Sequence, residues 1–279
     1  MLKSILVAVD GSEYTEPVMN YAVQFAKMFD AKLRIVTVVD IRIFEWSVYL
    51  GMDGFAPVLP SSEYLTESRH LLEKKAEKVL EKCVQMAKSN NASFTAEQVE
   101  GSPREIIDQK SHVVDLVMLG SRGEFAKWGS SKIMGATMEA ISRECIKPLF
   151  ISPKKFRPIK KILAPYDGSL NSNRALPYAG YLASNFGGEI TVLTIDKNLD
   201  LARSISEEGK IYFDPYDVAL KSEIRNGNPD DQILNFAEQE EFDCIVMGAY
   251  GHSRIIEAIL GSITQSVMKN TKIPILLVK

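Results

Sequence analysis

The sequence has few cysteines and few histidines, three of each in 279 residues. Cys83, Cys145 and Cys244 stand singly in helix-like or strand-like stretches, and none belongs to a Cys-x-x-Cys pair. An odd number of scattered cysteines argues against a disulfide framework and against a zinc site. We therefore expect reduced, buried thiols and no bound metal. Three scattered histidines also offer little material for a Ser-His-acid catalytic set.

Long hydrophobic runs are absent as well. The longest, such as Ile5–Val9 and Ile273–Val278, fall far short of the roughly 18 residues that a membrane helix needs. The first apolar run ends at Asp10 and is too short for the central region of a signal peptide. The sequence therefore predicts no membrane partner and a cytoplasmic location.

Strong charge of either sign is also missing. The net charge is −3 and the isoelectric point is near 5.8, so the chain as a whole does not attract nucleic acid or an anionic membrane. Any bound phosphate must then be held by local geometry. A small anionic ligand fits this chain better than a polymer, and we expect no nucleic-acid partner.

The chain is a tandem repeat. Lys3–Ser12 recurs as Lys160–Ser169, which places Asp10-Gly-Ser and Asp167-Gly-Ser 157 residues apart. Each copy then continues as a helix-like segment and a β-rich segment. Strands that alternate with helices predict parallel sheets with right-handed crossovers. We expect two five-stranded α/β domains, at residues 1–154 and 158–279.

The two copies differ in the middle. The first has an aromatic connection over residues 41–60 and then one long predicted helix from Ser61 to Asn90. The second is 31 residues shorter here and has a predicted helix from Leu199 to about Gly209. Each copy then resumes with a strand, a helix, a buried strand, a glycine-bearing loop, a last helix and a fifth strand.

The glycine-bearing loop of the second copy has the chemistry of a phosphate site. The apolar run Asp243–Met247 leads into Gly248 and Gly251, and Gly261-Ser262 stands where the next helix is predicted to begin. Glycine lets loop amides approach an anion, and the amides and dipole of a helix N-terminus favour negative charge. The spacing of two glycines alone is weak, since many such loops bind nothing.

The topology places a carboxylate next to that loop. In an open parallel sheet, ligands bind beyond the carboxyl ends of strands where the strand order reverses, which here are strands one and four of each copy. Asp167 should then lie beside Gly248, and Asp10 beside Gly120. Both aspartates precede Gly-Ser, so a purely structural turn at the start of the next helix stays equally open.

Nearly the whole chain resembles the universal stress protein family in its tandem form. Gly248, Gly251, Gly261 and Ser262 match the G-x2-G-x9-G-S/T motif of the family's ATP-binding members, and Pro165-Tyr-Asp167 matches its P-x-D. The resemblance implies a Rossmann-like fold of the adenine nucleotide alpha hydrolase type. It also implies ATP, or ADP or AMP, as the ligand, and it leaves an accompanying Mg²⁺ open.

The resemblance also distributes the roles within the second copy. It places Asp167 at the adenine and ribose end, backbone near Ile195 against the adenine, and the motif glycines and Ser262 on the phosphates. Chemistry agrees, because a carboxylate accepts hydrogen bonds from amino or hydroxyl groups but repels phosphate. We add Ile263, and also Arg254, for which an exposed loop position is equally open. The full prediction is Pro165, Asp167, Ile195, Gly248, Gly251, Arg254, Gly261, Ser262 and Ile263.

The first copy departs from the motif. After Gly120 and Gly123 the next aligned glycine is Gly135, with eleven residues between Gly123 and Gly135 instead of nine, and Ala136 stands where the second copy has Ser262. We expect a weaker or empty site here. Its predicted residues are Asp10, Val38, Gly120, Gly123 and Gly135.

The main hypothesis is an adenine-nucleotide-binding stress protein that regulates or senses through its nucleotide state. Catalysis has little support, because no G-x4-G-K-[ST] lysine is present, and any ATP hydrolysis should be slow. One alternative is a nucleotide-independent scaffold whose two sheets pair through their fifth strands and whose 41–60 connection meets a partner. Another is an adenylyl-type enzyme, although its H-x-G-H signature is missing. We expect the domains to pair within the chain, and a homodimer stays open.

Overall fold

The computed structural model of the chain describes residues 2–40, 62–123, 135–249 and 260–279, in which strands alternate with helices. The strands are β1 (Ser4–Val9), β2 (Lys32–Asp40), β3 (Phe94–Gly101), β4 (Leu116–Gly120), β5 (Leu149–Ser152), β6 (Lys161–Pro165), β7 (Glu189–Ile195), β8 (Ala219–Arg225), β9 (Cys244–Gly248) and β10 (Ile275–Val278). The helices are α1 (Thr15–Phe29), α2 (Ser62–Ser89), α3 (Pro103–Ser111), α4 (Ala136–Glu144), α5 (Leu170–Phe186), α6 (Leu199–Phe213), α7 (Pro229–Gln239) and α8 (Ser262–Asn270).

The strands form one sheet with the order β3-β2-β1-β4-β5-β10-β9-β6-β7-β8. Neighbouring strands are parallel within each half, and the two halves join where β5 pairs antiparallel with β10, with Phe150 opposite Leu276. The fold is therefore a tandem α/β arrangement of two Rossmann-like halves, as predicted. Pairing through the fifth strands turns two five-stranded sheets into one.

Helices cover both faces of the sheet, as the continuous apolar strands require. The core on one face takes side chains from α1, α2, α5 and α6, and the core on the other takes them from α3, α4, α7 and α8. Both cores take side chains from both halves, and in the first core α1 packs against α5 across the junction. There Phe29 of α1 stacks on Tyr181 of α5 with ring centroids 4.7 Å apart, and Phe25 meets Phe186 at 5.4 Å.

Helix α6 runs further than the sequence predicted. It ends at Phe213, whereas Gly209 was interpreted as its end. A Cβ on Gly209 would stand 2.8 Å from the Tyr166 ring and 3.1 Å from Val192, so the glycine lets the helix lie close to the sheet. The glycine near which the predicted helix ends is a close-packing position inside the helix.

Two aspartates join strands at the opposite edge of the sheet from the predicted sites. Asp115, just before β4, accepts hydrogen bonds on Oδ2 from the main-chain N–H groups of Lys3 (2.8 Å) and Ser4 (2.9 Å). Asp243, just before β9, accepts likewise from Lys160 (3.1 Å) and Lys161 (2.9 Å). The same contact thus sets strand one beside strand four in each half.

No helix in the described ranges combines the length and the hydropathy needed to cross a bilayer.

Candidate nucleotide site

The topology brings the predicted elements of the second half to one edge of the sheet. Strand β6 lies directly beside β9, with Ile162 opposite Cys244, and β7 flanks β6 on its other side. Pro165, Gly248 and Ile195 are the last residues of β6, β9 and β7. Three of the predicted positions therefore close three neighbouring strands at their carboxyl ends.

Asp167 lies in the turn that leads from β6 into α5. Its Oδ1 accepts a hydrogen bond from the main-chain N–H of Ser169 at 3.0 Å, and Gly168 between them has a φ of +73°. Ser169 then caps α5, because its Oγ accepts from the N–H of Ser172 at 3.2 Å. The structural turn considered at the sequence level is present, and it holds the carboxylate at the end of β6.

Gly248 is required by the close approach of α5. A Cβ at this position would stand 2.6 Å from both the carbonyl carbon and the carbonyl oxygen of Asn171. Real Cβ atoms essentially never come this close to backbone. The glycine at the end of β9 therefore lets the first turn of α5 lie against the strand, beside the turn that carries Asp167.

Helix α8 begins at this edge, and within the part of the chain that the structure describes no side chain caps its N-terminus. Gly261 is the N-cap residue, with φ −58° and ψ 143°, and its carbonyl accepts from the N–H of Gln265 at 2.9 Å. Ser262 and Ile263 form the first turn and are exposed. The amides of a first helical turn have no acceptor inside the helix, and the helix dipole makes this end favourable for anions.

Thr264 joins this helix to β9. Its side chain is 3% exposed, and its Oγ1 donates a hydrogen bond to the carbonyl oxygen of Gly248 at 3.3 Å. The main chain adds a second link, from the N–H of Gly261 to the carbonyl of Ala249 at 3.4 Å. The start of α8 is thus held close to the end of β9, as a site built from both elements needs.

Two predicted residues, Gly251 and Arg254, lie outside the described residues.

The first half brings Asp10, Gly123 and Gly135 together. Asp10 follows β1, and its Oδ2 lies 2.8 Å from the place that a Cβ of Gly123 would occupy. A Cβ on Gly135, the N-cap residue of α4, would stand 3.3 Å from the main-chain N of Gly123. A carboxylate therefore lies against the glycine loop, where it would repel a phosphate group. The weaker site expected in this half stays a prediction.

The remaining positions of the first half follow the repeat. Gly120 ends β4, and a Cβ there would stand 2.5 Å from the Cβ of Tyr14, which takes the place of Asn171 in the second half. Val38 lies in β2, 157 residues before Ile195 in β7. Ala136 opens α4 as Ser262 opens α8, without a hydroxyl group to offer.

Tyr166 is the buried residue that immediately precedes Asp167. It was not among the predicted site residues. It is 2% exposed, and its hydroxyl lies 2.6 Å from Glu208 Oε1 and 3.0 Å from Asn173 Oδ1. Burial, with the hydrogen bond to Glu208, raises the pKa of Tyr166 above its ordinary range. The phenol therefore stays protonated and joins β6 to both α5 and α6.

Asn171 and Thr264 were also missed as parts of the site. The repeat places Asn171 at the position of Tyr14, the N-cap residue of α1, but this correspondence does not mark either residue as part of a site. The role of Thr264 depends on the distance between α8 and β9, which no local pattern reports. Among the described residues, no cluster of three or more His, Cys, Asp or Glu side chains is placed to hold a metal ion.

Comparisons with known proteins agree with the tandem architecture. The model of the "Universal stress protein family" matches residues 1–153 and again residues 158–279. Universal stress protein Slr1230 of Synechocystis is 28% identical over 99% of both chains, and universal stress protein Rv1996 of Mycobacterium tuberculosis is 25% identical over 99% of this chain and 94% of its own. The crystal structure of a universal stress protein from Archaeoglobus fulgidus covers 99% of this chain and 98% of its own with a TM-score of 0.73 at 22% identity.

Proposed function

This chain belongs to the universal stress protein family, and we propose that its second half binds an adenine nucleotide with the phosphates at the N-terminus of α8. The observation that carries the proposal is the first turn of α8, with exposed Ser262 and Ile263 and with no capping side chain among the described residues, held beside the end of β9. Main-chain amides and the Ser262 hydroxyl would donate to phosphate oxygens there. Gly248, Gly251 and Gly261 would keep side chains out of the way, and Arg254 would add a positive charge.

The nucleoside would take the other end of the site. Asp167 follows β6, which lies between β9 and β7 in the sheet. Its carboxylate would accept a hydrogen bond from a ribose hydroxyl or an amino group. Main-chain groups near Ile195, at the end of β7, would meet the adenine, with Pro165 behind them. Negative charge at one end and helix amides at the other would orient the ligand in one direction.

ATP is the ligand that we propose, with ADP and AMP as alternatives and with Mg²⁺ as an accompanying ion. The role proposed is a cytoplasmic stress-response regulator or sensor, in which bound nucleotide changes the conformation or assembly of the two halves. Hydrolysis would be slow, because the sequence offers no phosphate-loop lysine and no paired catalytic carboxylates.

The test is equilibrium dialysis of nucleotide-stripped protein against ATP, ADP and AMP. We expect binding that Ser262→Ala weakens severalfold, because one hydroxyl donor to phosphate is lost. Ala136→Ser, the reciprocal change at the start of α4, is the matched control and should leave that binding unchanged. If none of the three nucleotides binds at concentrations up to about 1 mM, where the binding free energy is only about 4 kcal/mol, the proposal is abandoned.

The antiparallel pairing of β5 with β10 favours a second candidate function, a scaffold that works without nucleotide. The repeat would then serve to build one long sheet, and the halves would present surfaces to a protein partner. Gly261→Val separates the two functions. A scaffold keeps its activity in a stress-survival assay with this variant, whereas a nucleotide-dependent regulator loses it.

A further inference from the structure

A cleft of about 480 Å³ opens in the first half, between the start of α1 and one side of α2. None of the residues predicted for nucleotide binding lines it. One wall is the turn after β1 with the first turn of α1, and the other is the middle of α2. The lining residues are Gly11, Ser12, Glu13, Thr15, Glu16, Lys75, Lys78, Val79 and Lys82.

Three lysines of one helical stripe face this cleft. Lys75, Lys78 and Lys82 are three and four residues apart, so they lie on one side of α2. With a rise of 1.5 Å per residue, their Cα atoms are spaced about 4.5 and 6 Å along the axis. A ligand that meets all three must therefore carry more than one negative group.

The cleft also contains two glutamates, and one of them neutralises a lysine of the stripe. Glu13 pairs with Lys154 at 2.7 Å, outside the lysine stripe, and Glu16 pairs with Lys82 at 2.9 Å. Within the described part of the chain Lys78 forms no ion pair. Lys78 is thus an ammonium group in a concave site without an acidic partner there, a placement that favours an anion.

The turn after β1 offers hydroxyl groups to a ligand, whereas the positive charge of the cleft comes from the lysines of α2. The N–H of Gly11 donates to Thr15 Oγ1 at 3.0 Å, and the N–H of Ser12 donates to Asp10 Oδ1 at 3.0 Å, so these amides are already used. The side chains of Ser12 and Thr15 are buried at the cleft. Their O–H groups are further donors for an oxyanion.

The cleft has a fixed shape because its two walls touch. Gly11 has a φ of +79°, and a Cβ there would stand 2.6 Å from Val79 Cγ2. The glycine therefore lets α2 pack directly on the turn at the base of the lysine stripe. Because the walls are already fixed by this contact, a ligand does not have to order them, and binding avoids that entropic cost.

We propose that this cleft is a binding site for a small ligand that carries two or more phosphate groups. Lys75, Lys78 and Lys82 neutralise the phosphates, and Ser12 and Thr15 donate from the opposite wall. Among the described residues of the second half, α6 is shorter than α2 and carries no such lysine stripe, since its one lysine, Lys210, is paired with Glu207 at 2.8 Å. The first half would then bind anions through lysine side chains, and the second half through the main-chain amides of a helix N-terminus.

The test is isothermal titration of the full chain with tripolyphosphate, for wild type and for the double variant Lys75→Gln, Lys78→Gln. We expect the double variant to weaken tripolyphosphate binding at one site about tenfold or more, since two charge-assisted contacts are lost. The matched control is Lys74→Gln, Lys88→Gln, which removes the same charge from exposed positions of α2 outside the cleft. This control should stay within about twofold of wild type, as rim charges contribute little.

Ser262→Ala separates this inference from the nucleotide proposal. It should weaken ATP binding and leave the lysine-dependent tripolyphosphate site intact, so either site can fail without the other. Absence of tripolyphosphate binding that depends on Lys75 and Lys78 overturns the inference. An equal loss in the control pair overturns it too, because the binding would then reflect only the overall charge of α2.

Discussion

The main-chain carbonyl of Asn171 lies against Gly248, 2.6 Å from the place that a Cβ would occupy. This contact joins the first turn of α5 to the end of β9. The turn that carries Asp167 and the chain that leaves β9 toward α8 therefore start from two elements that are packed against each other. Glycine at 248 is therefore a packing requirement of the fold, whether or not its neighbours bind a ligand.

Gly248→Ala should destabilise the protein by about 1–3 kcal/mol, because backbone has to move to admit the methyl group. Urea unfolding followed by circular dichroism measures the loss. Gly187→Asn is the control: Gly187 has a φ of +61° and open space around its Cβ position, and asparagine tolerates that conformation. Similar stabilities of wild type and Gly248→Ala would contradict the close approach of Asn171.

Thr264→Val should lower the free energy of unfolding by about 1–3 kcal/mol, because it leaves the carbonyl of Gly248 without the hydroxyl donor at a buried position. Thr264→Ser keeps the hydroxyl and loses a methyl group, so it serves as the comparison. We also expect the valine variant to bind nucleotide more weakly than the serine variant, because α8 is no longer fixed to β9. Equal values for the two variants would show that the hydrogen bond has no role.

Asp115→Ala and Asp243→Ala should each destabilise by about 2–4 kcal/mol, since each removes the acceptor of two main-chain hydrogen bonds that involve a charged group. The repeat makes the two variants controls for each other. Thermal unfolding of both, at one protein concentration, measures the effect. A large loss in one and none in the other would mean that the strand clamp is not equivalent in the two halves.

Alkaline pH should destabilise the fold. Burial raises the pKa of the Cys83 thiol from 9.0 to about 11, and it also raises the pKa values of Tyr21 and Tyr166 above their ordinary range. The unfolded chain therefore releases these protons first. The stabilisation is complete below the unfolded pKa values and is lost as the pH rises through the folded ones.

The slope for each such group is about 1.4 kcal/mol per pH unit between its two pKa values. Urea unfolding at about pH 8, 9 and 10 measures the total, and Cys83→Ala should reduce the slope above about pH 9. A free energy of unfolding that is constant over this range, or the same slope in the alanine variant, would contradict the burial of the thiol.

Much of the fold was predictable because its signals are local and occur twice. The Asp-Gly-Ser turns after β1 and β6, the helical stripes and the short apolar strands follow from residue spacing within a few turns of chain. The interior of α6 was harder. Gly209 carries the local signal of a helix end, and only its packing on Tyr166 shows why the helix continues.

The candidate site was predictable as a set of strand ends, for the same reason. Parallel topology alone placed Asp167 near Gly248. The contacts that hold the site were not predictable: Asn171 against Gly248, Thr264 to the Gly248 carbonyl, and Asp10 against Gly123 each join residues far apart in sequence, and no periodicity reports such distances.

The sequence by itself determined that this protein is a duplicated α/β unit with a G-x2-G-x9-G-S motif in its second copy, because repeats, turns and hydrophobic periods are properties of neighbouring residues. The tertiary structure decided that the fifth strands pair antiparallel, that Asp10 lies against the first glycine loop, and that three lysines of α2 face a cleft at the start of α1. These outcomes depend on how helices and strands pack across the sheet. Packing brings together groups whose separation along the chain leaves no local pattern.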